Sequence, residues 1–136
     1  MAKVAIIGAG RLAWNLIPAL QAAGNEVFQL ISRNKDQLIR FTEAYSVPHT
    51  SQHLSDLQAE VDFVLLTVTD KAIEEVARQL ADDSLRGPIF LHTSGSISLA
   101  SLKSLGDHIG VFYPMQIFTF DRTASFEQIP FFLEGS

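Results

Sequence analysis

The sequence predicts an α/β domain, a doubly wound and mostly parallel sheet with helices on both faces. Three observations predict it. Short apolar runs of strand length alternate with segments whose apolar residues recur at helical spacing. The runs are apolar throughout, as strands covered on both faces must be. A glycine-rich turn, Gly8-Ala9-Gly10, separates the first such run from the first helical segment. At 136 residues, 47% of them hydrophobic and 18% charged, the chain reads as one domain, 1–136, able to bury a core.

Val4 to Ile7 is a β-rich run that stops at Gly8. Ala13, Leu16, Ile17 and Leu20 then recur at helical spacing, and Gly24 supplies a C-terminal stop. Pro18 lies inside that helix and lacks a backbone donor, so a kink is expected there. Val27 to Ile31 is the second strand. Asn34 followed by Gln37 predicts an N-cap with a capping-box partner, opening a helix that buries Leu38, Phe41 and Tyr45. Val47 to Thr50 reads as a short edge strand. Val61 to Val68 is the longest strand signal, and Asp70 reads as the cap of a helix reaching Leu80. Ile89 to Thr93, a short helix from Leu99 to Ser104, Ile109 to Tyr113 and Ile129 to Leu133 complete the series.

The net charge of −5 argues against a nucleic-acid partner or an anionic membrane surface. No apolar run approaches the ~20 residues of a membrane span. The first strand follows Lys3 directly, so no signal peptide is expected. The absence of cysteine removes disulfides, thiolate metal sites and cysteine nucleophiles, and suits a cytoplasmic setting. His49 and His53 are four residues apart, but they follow Pro48 in a loop-like stretch with no third ligand nearby. They read as surface histidines, and no metal site is expected. Six of the ten phenylalanines (Phe112, Phe118, Phe120, Phe126, Phe131, Phe132) fall near the end of the chain. That density predicts a packed final sheet layer, or an apolar face meant to be covered by another domain or chain.

The candidate chemistry begins at Gly8. Gly8-Ala9-Gly10-Arg11-Leu12-Ala13 is G-x-G-x-x-A between a strand and a helix, the setting that gives this fingerprint its meaning. Gly8 permits the tight turn, Gly10 lets the backbone approach a pyrophosphate, and Ala13 lets helix and strand pack closely. The N–H groups from Ala9 through Arg11 and Leu12, with the positive end of the helix dipole, then face the anion. About 20 residues further on, an NAD-binding domain usually carries an acidic residue for the ribose 2′-OH. Here the second strand ends in Ile31-Ser32-Arg33-Asn34, with no carboxylate. A guanidinium at Arg33 suits a 2′-phosphate, with Ser32 and Asn34 assisting, so the expected cofactor is NADP(H). A solvated Arg33 and a merely capping Asn34 are the structural alternatives.

Ligands of open parallel sheets lie beyond the C-terminal strand ends. Three loops there carry polar groups: Thr67-Val68-Thr69-Asp70, His92-Thr93-Ser94-Gly95-Ser96 and Tyr113-Pro114-Met115-Gln116. Thr67, Val68, Thr69 and Thr93 are expected to border the cofactor. His92, Ser94 and Tyr113 are the catalytic candidates, His92 for proton transfer and Tyr113 as a donor to a carbonyl or imine. A structural hydrogen bond for His92 and simple packing for Tyr113 are the alternatives. Asp70 is better explained as a helix cap than as a catalytic carboxylate.

These residues, GAGRLA at Gly8, SRN at Ser32, TVTD at Thr67, HTSGS at His92 and FYPMQIF at Phe112, give the whole chain a resemblance. It resembles the N-terminal domain of the 6-phosphogluconate dehydrogenase-like group of NADP-binding oxidoreductases, with a Rossmann fold. Within that group it is most similar to an NADP oxidoreductase family whose C-terminal domain has no assigned function. It is similar, more distantly, to pyrroline-5-carboxylate reductase and prephenate dehydrogenase. In the latter a histidine precedes the Pro-Met pair, where this chain has Tyr113 before Pro114 and Met115; that departure argues against prephenate chemistry. The resemblance implies a further helical domain, not contained in this sequence, that forms a homodimer and completes the site for a small-molecule substrate.

The expected activity is hydride transfer between NADPH and a small carbonyl, imine or hydroxy compound. The alternatives are a non-catalytic NADP(H)-binding sensor and a structural module without nucleotide.

Overall fold

The computed structural model describes residues 2–82, 87–94, 97–106, 108–114 and 131–135. Strands β1 (Lys3–Ile7), β2 (Glu26–Ile31), β3 (His49–Ser51), β4 (Phe63–Leu66), β5 (Ile89–His92), β6 (Ile109–Pro114) and β7 (Phe131–Gly135) form one sheet. Helices α1 (Arg11–Ala22), α2 (Lys35–Ala44) and α3 (Asp70–Asp82), with 3-10 segments Leu54–Asp56 and Leu99–Leu105, complete it. The strand order is β3-β2-β1-β4-β5-β6-β7. The first six strands run parallel, and β7 pairs antiparallel with β6, Val111 facing Glu134. This is the doubly wound Rossmann order, which reverses between β1 and β4 and opens a crevice at the carboxyl ends there.

Side chains on successive strand residues go to opposite faces, and the core divides accordingly. Ala5, Ile7, Val64, Leu66 and Phe90 meet Ile73, Val76, Ala77 and Leu80 of α3 and Leu102 of the second 3-10 segment. Val4, Ile6, Leu30 and Leu65 meet Leu16 and Ile17 of α1 and Leu38 and Phe41 of α2. The uninterrupted apolar strands of the sequence are therefore a consequence of two covered faces.

Several boundaries differ from expectation for identifiable reasons. Only Phe63 to Leu66 of the 61–68 run pairs as strand. Val61 is apolar because it is buried in the α3-side core, and Val68 because it packs against that core. The edge strand lies at His49–Ser51, two residues later than Val47. The short helix after β5 is 3-10 in form. The last strand begins among the described residues at Phe131 and reverses direction. α1 continues through Pro18 to Ala22. Pro18 cannot donate to the carbonyl four residues earlier, that of Trp14, and the Tyr45 hydroxyl donates to that oxygen at 2.8 Å.

Candidate functional site

β1 delivers the chain to Gly8 at φ +111°, a conformation that L side chains rarely adopt. A Cβ at Gly8 would lie 2.8 Å from Thr67 Oγ1 and 3.0 Å from both Thr67 C and Val68 N. Gly8 is therefore required twice, by its torsion and by the close passage of the chain leaving β4. Gly10 is a different case. Its φ of −102° is open to any residue, and a Cβ there would meet nothing within 4 Å. Nothing in the protein requires glycine at position 10, and the space in front of it is open. Gly10 caps α1 through its backbone, and its carbonyl accepts from Trp14 N–H at 3.0 Å. The N–H groups ahead of that bond have no carbonyl of their own helix to pair with. Ala13, at 0% exposure, lets α1 lie directly on the sheet.

The carbonyls of this turn are drawn elsewhere. Thr67 Oγ1 donates to Ile7 O at 3.1 Å and Gly8 O at 3.0 Å. Gln37 Nε2 donates to Ala9 O at 3.1 Å. Oxygen atoms are thereby held back from the space above the turn, which leaves it suited to an anion.

That space belongs to a cleft of about 780 Å³. Of the predicted cofactor residues, Gly8, Ala9, Gly10, Ser32, Arg33, Asn34, Thr67, Val68 and Thr69 line it. Arg11, Leu12 and Thr93 do not. Arg11 is exposed at the start of α1, and Thr93 is buried with its hydroxyl donating to Leu66 O at 2.9 Å. Sequence reasoning missed the opposite wall, Gln52 to Ser55, and the α3 positions Ala72, Val76 and Gln79. His53, read as a surface histidine, also lines the cleft, although it is exposed. His49 rests on the Phe28 ring with centroids 4.6 Å apart. No cluster suited to a metal ion occurs among the described residues.

Side-chain amides hold the far wall and the segment that follows it. Gln29 is 2% exposed within β2; its Nε2 donates to Asp56 O at 2.9 Å, and its Oε1 accepts from Gln58 N–H at 2.8 Å. Gln52 Nε2 donates to Arg33 O at 3.0 Å, so wall and β2 end are joined directly. At that end Ser32 Oγ accepts from Asn34 N–H, and Asn34 Oδ1 accepts from Gln37 N–H, both at 3.1 Å. Asn34 is thus the predicted cap of α2, but the capping box is not closed by Gln37. Ser32 already satisfies the Asn34 N–H, which leaves the Gln37 side chain for Ala9.

The cleft's charges have one sign. Among the described residues its lining includes the guanidinium of Arg33 and no aspartate or glutamate, in a chain of net charge −5. Arg33 is exposed and has no carboxylate within salt-bridge distance among the described residues. By contrast, Arg78 pairs with Glu74 on the solvent face of α3; that hydrogen bond and the carboxylate's charge raise the guanidinium pKa. A cationic cleft in front of a glycine turn fits the phosphates of a dinucleotide.

His92 and Ser94 are buried and are not among the cleft-lining residues. The His92 ring is 0% exposed, and its Nδ1 accepts from Ser94 N–H at 3.1 Å. A neutral ring in this arrangement carries its proton on Nε2. Tyr113 sits near the end of β6, and its side chain lies outside the described residues, as do Phe118, Phe120 and Phe126. No helix among the described residues is long and apolar enough to cross a membrane.

A family model described as NADP oxidoreductase, coenzyme F420-dependent, matches residues 3–94. The solved structure of "putative NADP oxidoreductase BF3122" from Bacteroides fragilis superposes with a TM-score of 0.86 at 30% identity, over 98% of this chain and 51% of that one. A pyrroline-5-carboxylate reductase from Coxiella burnetii gives a TM-score of 0.71 at 25% identity, over 84% of this chain and 43% of that one. A glycerol-3-phosphate dehydrogenase [NAD(P)+] of Bacillus subtilis is 26% identical, over 86% of this chain and 37% of its own length. The chain spans about half the length, or less, of these relatives.

Proposed function

This chain belongs to the NADP oxidoreductase, coenzyme F420-dependent, family, whose relatives are pyridine-nucleotide dehydrogenases and reductases, and on that premise we propose that it binds NADP(H) in preference to NAD(H) for hydride transfer to or from a small carbonyl, imine or hydroxy compound. The observation that carries the preference is the ribose end of the cleft, where Ser32, Arg33 and Asn34 stand without any acidic residue in the lining. An acidic residue would accept from a 2′-OH and repel a 2′-phosphate; Arg33 does the reverse. Bound there, the nicotinamide supplies or takes up the hydride.

The division of labour follows from the chain's own groups. The glycine turn holds the pyrophosphate with N–H groups, Thr67 keeps the turn's oxygens out of its way, and Arg33 reads the 2′-phosphate. Leu54, Val68, Ala72 and Val76 supply apolar cleft surface suited to the adenine face. His92 at the end of β5, Ser94 just after it and Tyr113 near the end of β6 stand toward the carboxyl edge, where a substrate heteroatom would gain or lose its proton. In this reading the buried His92 ring holds the backbone of Ser94 in place. Solvent-coupled proton transfer then falls to Tyr113 or to a helical domain beyond this chain. Such a domain would also form the homodimer.

Calorimetric titration with NADPH and NADH tests the cofactor reading, and equal dissociation constants would overturn it. Turnover of NADPH by the full-length protein against carbonyls, imines and coenzyme F420 tests the catalytic reading. Tight NADPH binding without turnover of any of them would favour a sensor.

A further inference from the structure

We propose that Gln37 of α2 is a positioning residue for the pyrophosphate: by holding the Ala9 carbonyl it keeps the Gly10 N–H turned into the cleft. The inference rests on the cofactor reading above and concerns a residue outside the cleft lining.

The geometry is that of one peptide unit. The described residues contain no cis peptide bond, so the Ala9 C=O and the Gly10 N–H point in opposite directions. Gln37 Nε2 donates to Ala9 O at 3.1 Å and ties that oxygen to α2. The Gly10 N–H consequently faces away from α2, and Gly10 itself lines the cleft. The neighbouring carbonyls are restrained independently, Ile7 and Gly8 by Thr67 and Gly10 by Trp14 N–H. Ala9 is the one member of the turn whose carbonyl depends on a side chain from α2. Without it, the peptide is free to rotate its oxygen toward the anion, replacing a donor by an acceptor.

The local sequence explains why Gln37 can do this. Three residues after an N-cap, a glutamine usually reaches back to the cap's own N–H. Here the Ser32 hydroxyl accepts from the Asn34 N–H, so the Gln37 amide is spared for Ala9. Ser32, Asn34 and Gln37 thus connect the 2′-phosphate end to the pyrophosphate end in three hydrogen bonds. Gln37 is partly exposed, and its replacement leaves no large void.

The test compares Gln37→Met, which keeps shape and loses the donor, with Gln37→Glu, which puts a carboxylate where the donor was. Both are titrated with NADPH and with NADH, and the cofactor-free melting temperature is measured alongside. Because the pyrophosphate is common to both cofactors, both affinities should fall together, about five- to tenfold for Gln37→Met, the loss of about one hydrogen bond's worth of positioning. Gln37→Glu should fall further, and the NADPH-to-NADH ratio should stay at the wild-type value. The Gly10 amide resonance, which should shift on adding NADPH to wild type, should shift much less in Gln37→Met. Unchanged affinities in both variants, or a loss confined to NADPH, would overturn the proposal; the latter would place the action of Gln37 at Arg33. A fall in affinity matched by a fall in melting temperature in both variants would also overturn it, in favour of a structural role. Failure of the wild-type protein to bind NADPH at all would instead remove the cofactor reading on which the proposal stands.

Discussion

The two glycines of the turn should respond in opposite ways to the same added methyl group. Alanine at position 8 must adopt φ near +111° and place its Cβ 2.8 Å from Thr67 Oγ1. Thr67 Oγ1 is itself anchored to the Ile7 and Gly8 carbonyls, and the two contacts at 3.0 Å are with backbone, so the clash has little room to relax. Torsional strain of ~1–3 kcal/mol and overpacking of similar size add to roughly 2–6 kcal/mol for Gly8→Ala. That is a large share of the ~5–15 kcal/mol by which a domain is usually stable. At Gly10 the torsions are ordinary and the Cβ meets nothing. Alanine is a poorer N-cap than glycine but restricts the unfolded chain, and these effects of about 0.5–1 kcal/mol largely cancel. Gly10→Ala should therefore fold as wild type does and bind NADPH at least ~10-fold more weakly, because its methyl group occupies the pyrophosphate's approach. Urea unfolding measures the first quantity. The single tryptophan, Trp14, whose N–H bonds Gly10, offers a fluorescence signal for both. A Gly8→Ala protein within ~0.5 kcal/mol of wild type, or a Gly10→Ala protein with undiminished affinity, would refute the assignment of the two roles.

Further substitutions address the remaining links. Arg33→Asp should reverse or abolish a preference for NADPH worth ~1–3 kcal/mol, read as the ratio of dissociation constants; an unaltered ratio would remove Arg33 from the ribose site. His92→Leu should lower stability by about 1–3 kcal/mol in denaturant unfolding, since it leaves the buried Ser94 N–H without its acceptor, and wild-type stability would contradict that account. Tyr45→Phe should cost about 1 kcal/mol by the same assay, because the Trp14 carbonyl opposite Pro18 loses its donor; no change would mean that water replaces the hydroxyl.

The parts of the site that were legible in the sequence are those governed by local chain geometry. The glycine turn, the small Ala13, the Asn34 cap and the β2 end bearing Arg33 follow from torsion, size and spacing along one segment. What escaped depends on contacts between distant segments. The wall at Gln52 to Ser55 reaches the cleft only because β3 pairs with β2, Gln29 facing His49 and Ile31 facing Ser51. His53 is exposed, as a surface histidine should be, but its place in the cleft lining follows only from the fold. The capping-box pattern at Asn34 and Gln37 was real as a pattern and misleading as a bond, since Ser32 competes for the same N–H. The reversal of β7 carries no periodicity signal, because parallel and antiparallel edge strands can share the same apolar run. Tyr113, at a strand end, and the phenylalanines near the end of the chain give composition without placement.

The amide of Gln29 has a consequence for how selection between ligands is achieved. Its two hydrogen bonds extend the ladder of β2 sideways into the 56–58 segment, which follows directly on the cleft's outer wall at 52–55. Arg33 sits at the end of the same strand, and Gln52 ties its carbonyl to that wall. Both sides of the ribose end are thus tied to one strand, and on the cofactor reading proposed above a ligand would meet a wall already joined to the sheet. Discrimination by the proposed site would then rest on contacts more than on ordering entropy. On the proposed cofactor reading, such a cleft would work as a gauge, measuring a 2′-substituent against a wall joined to the sheet.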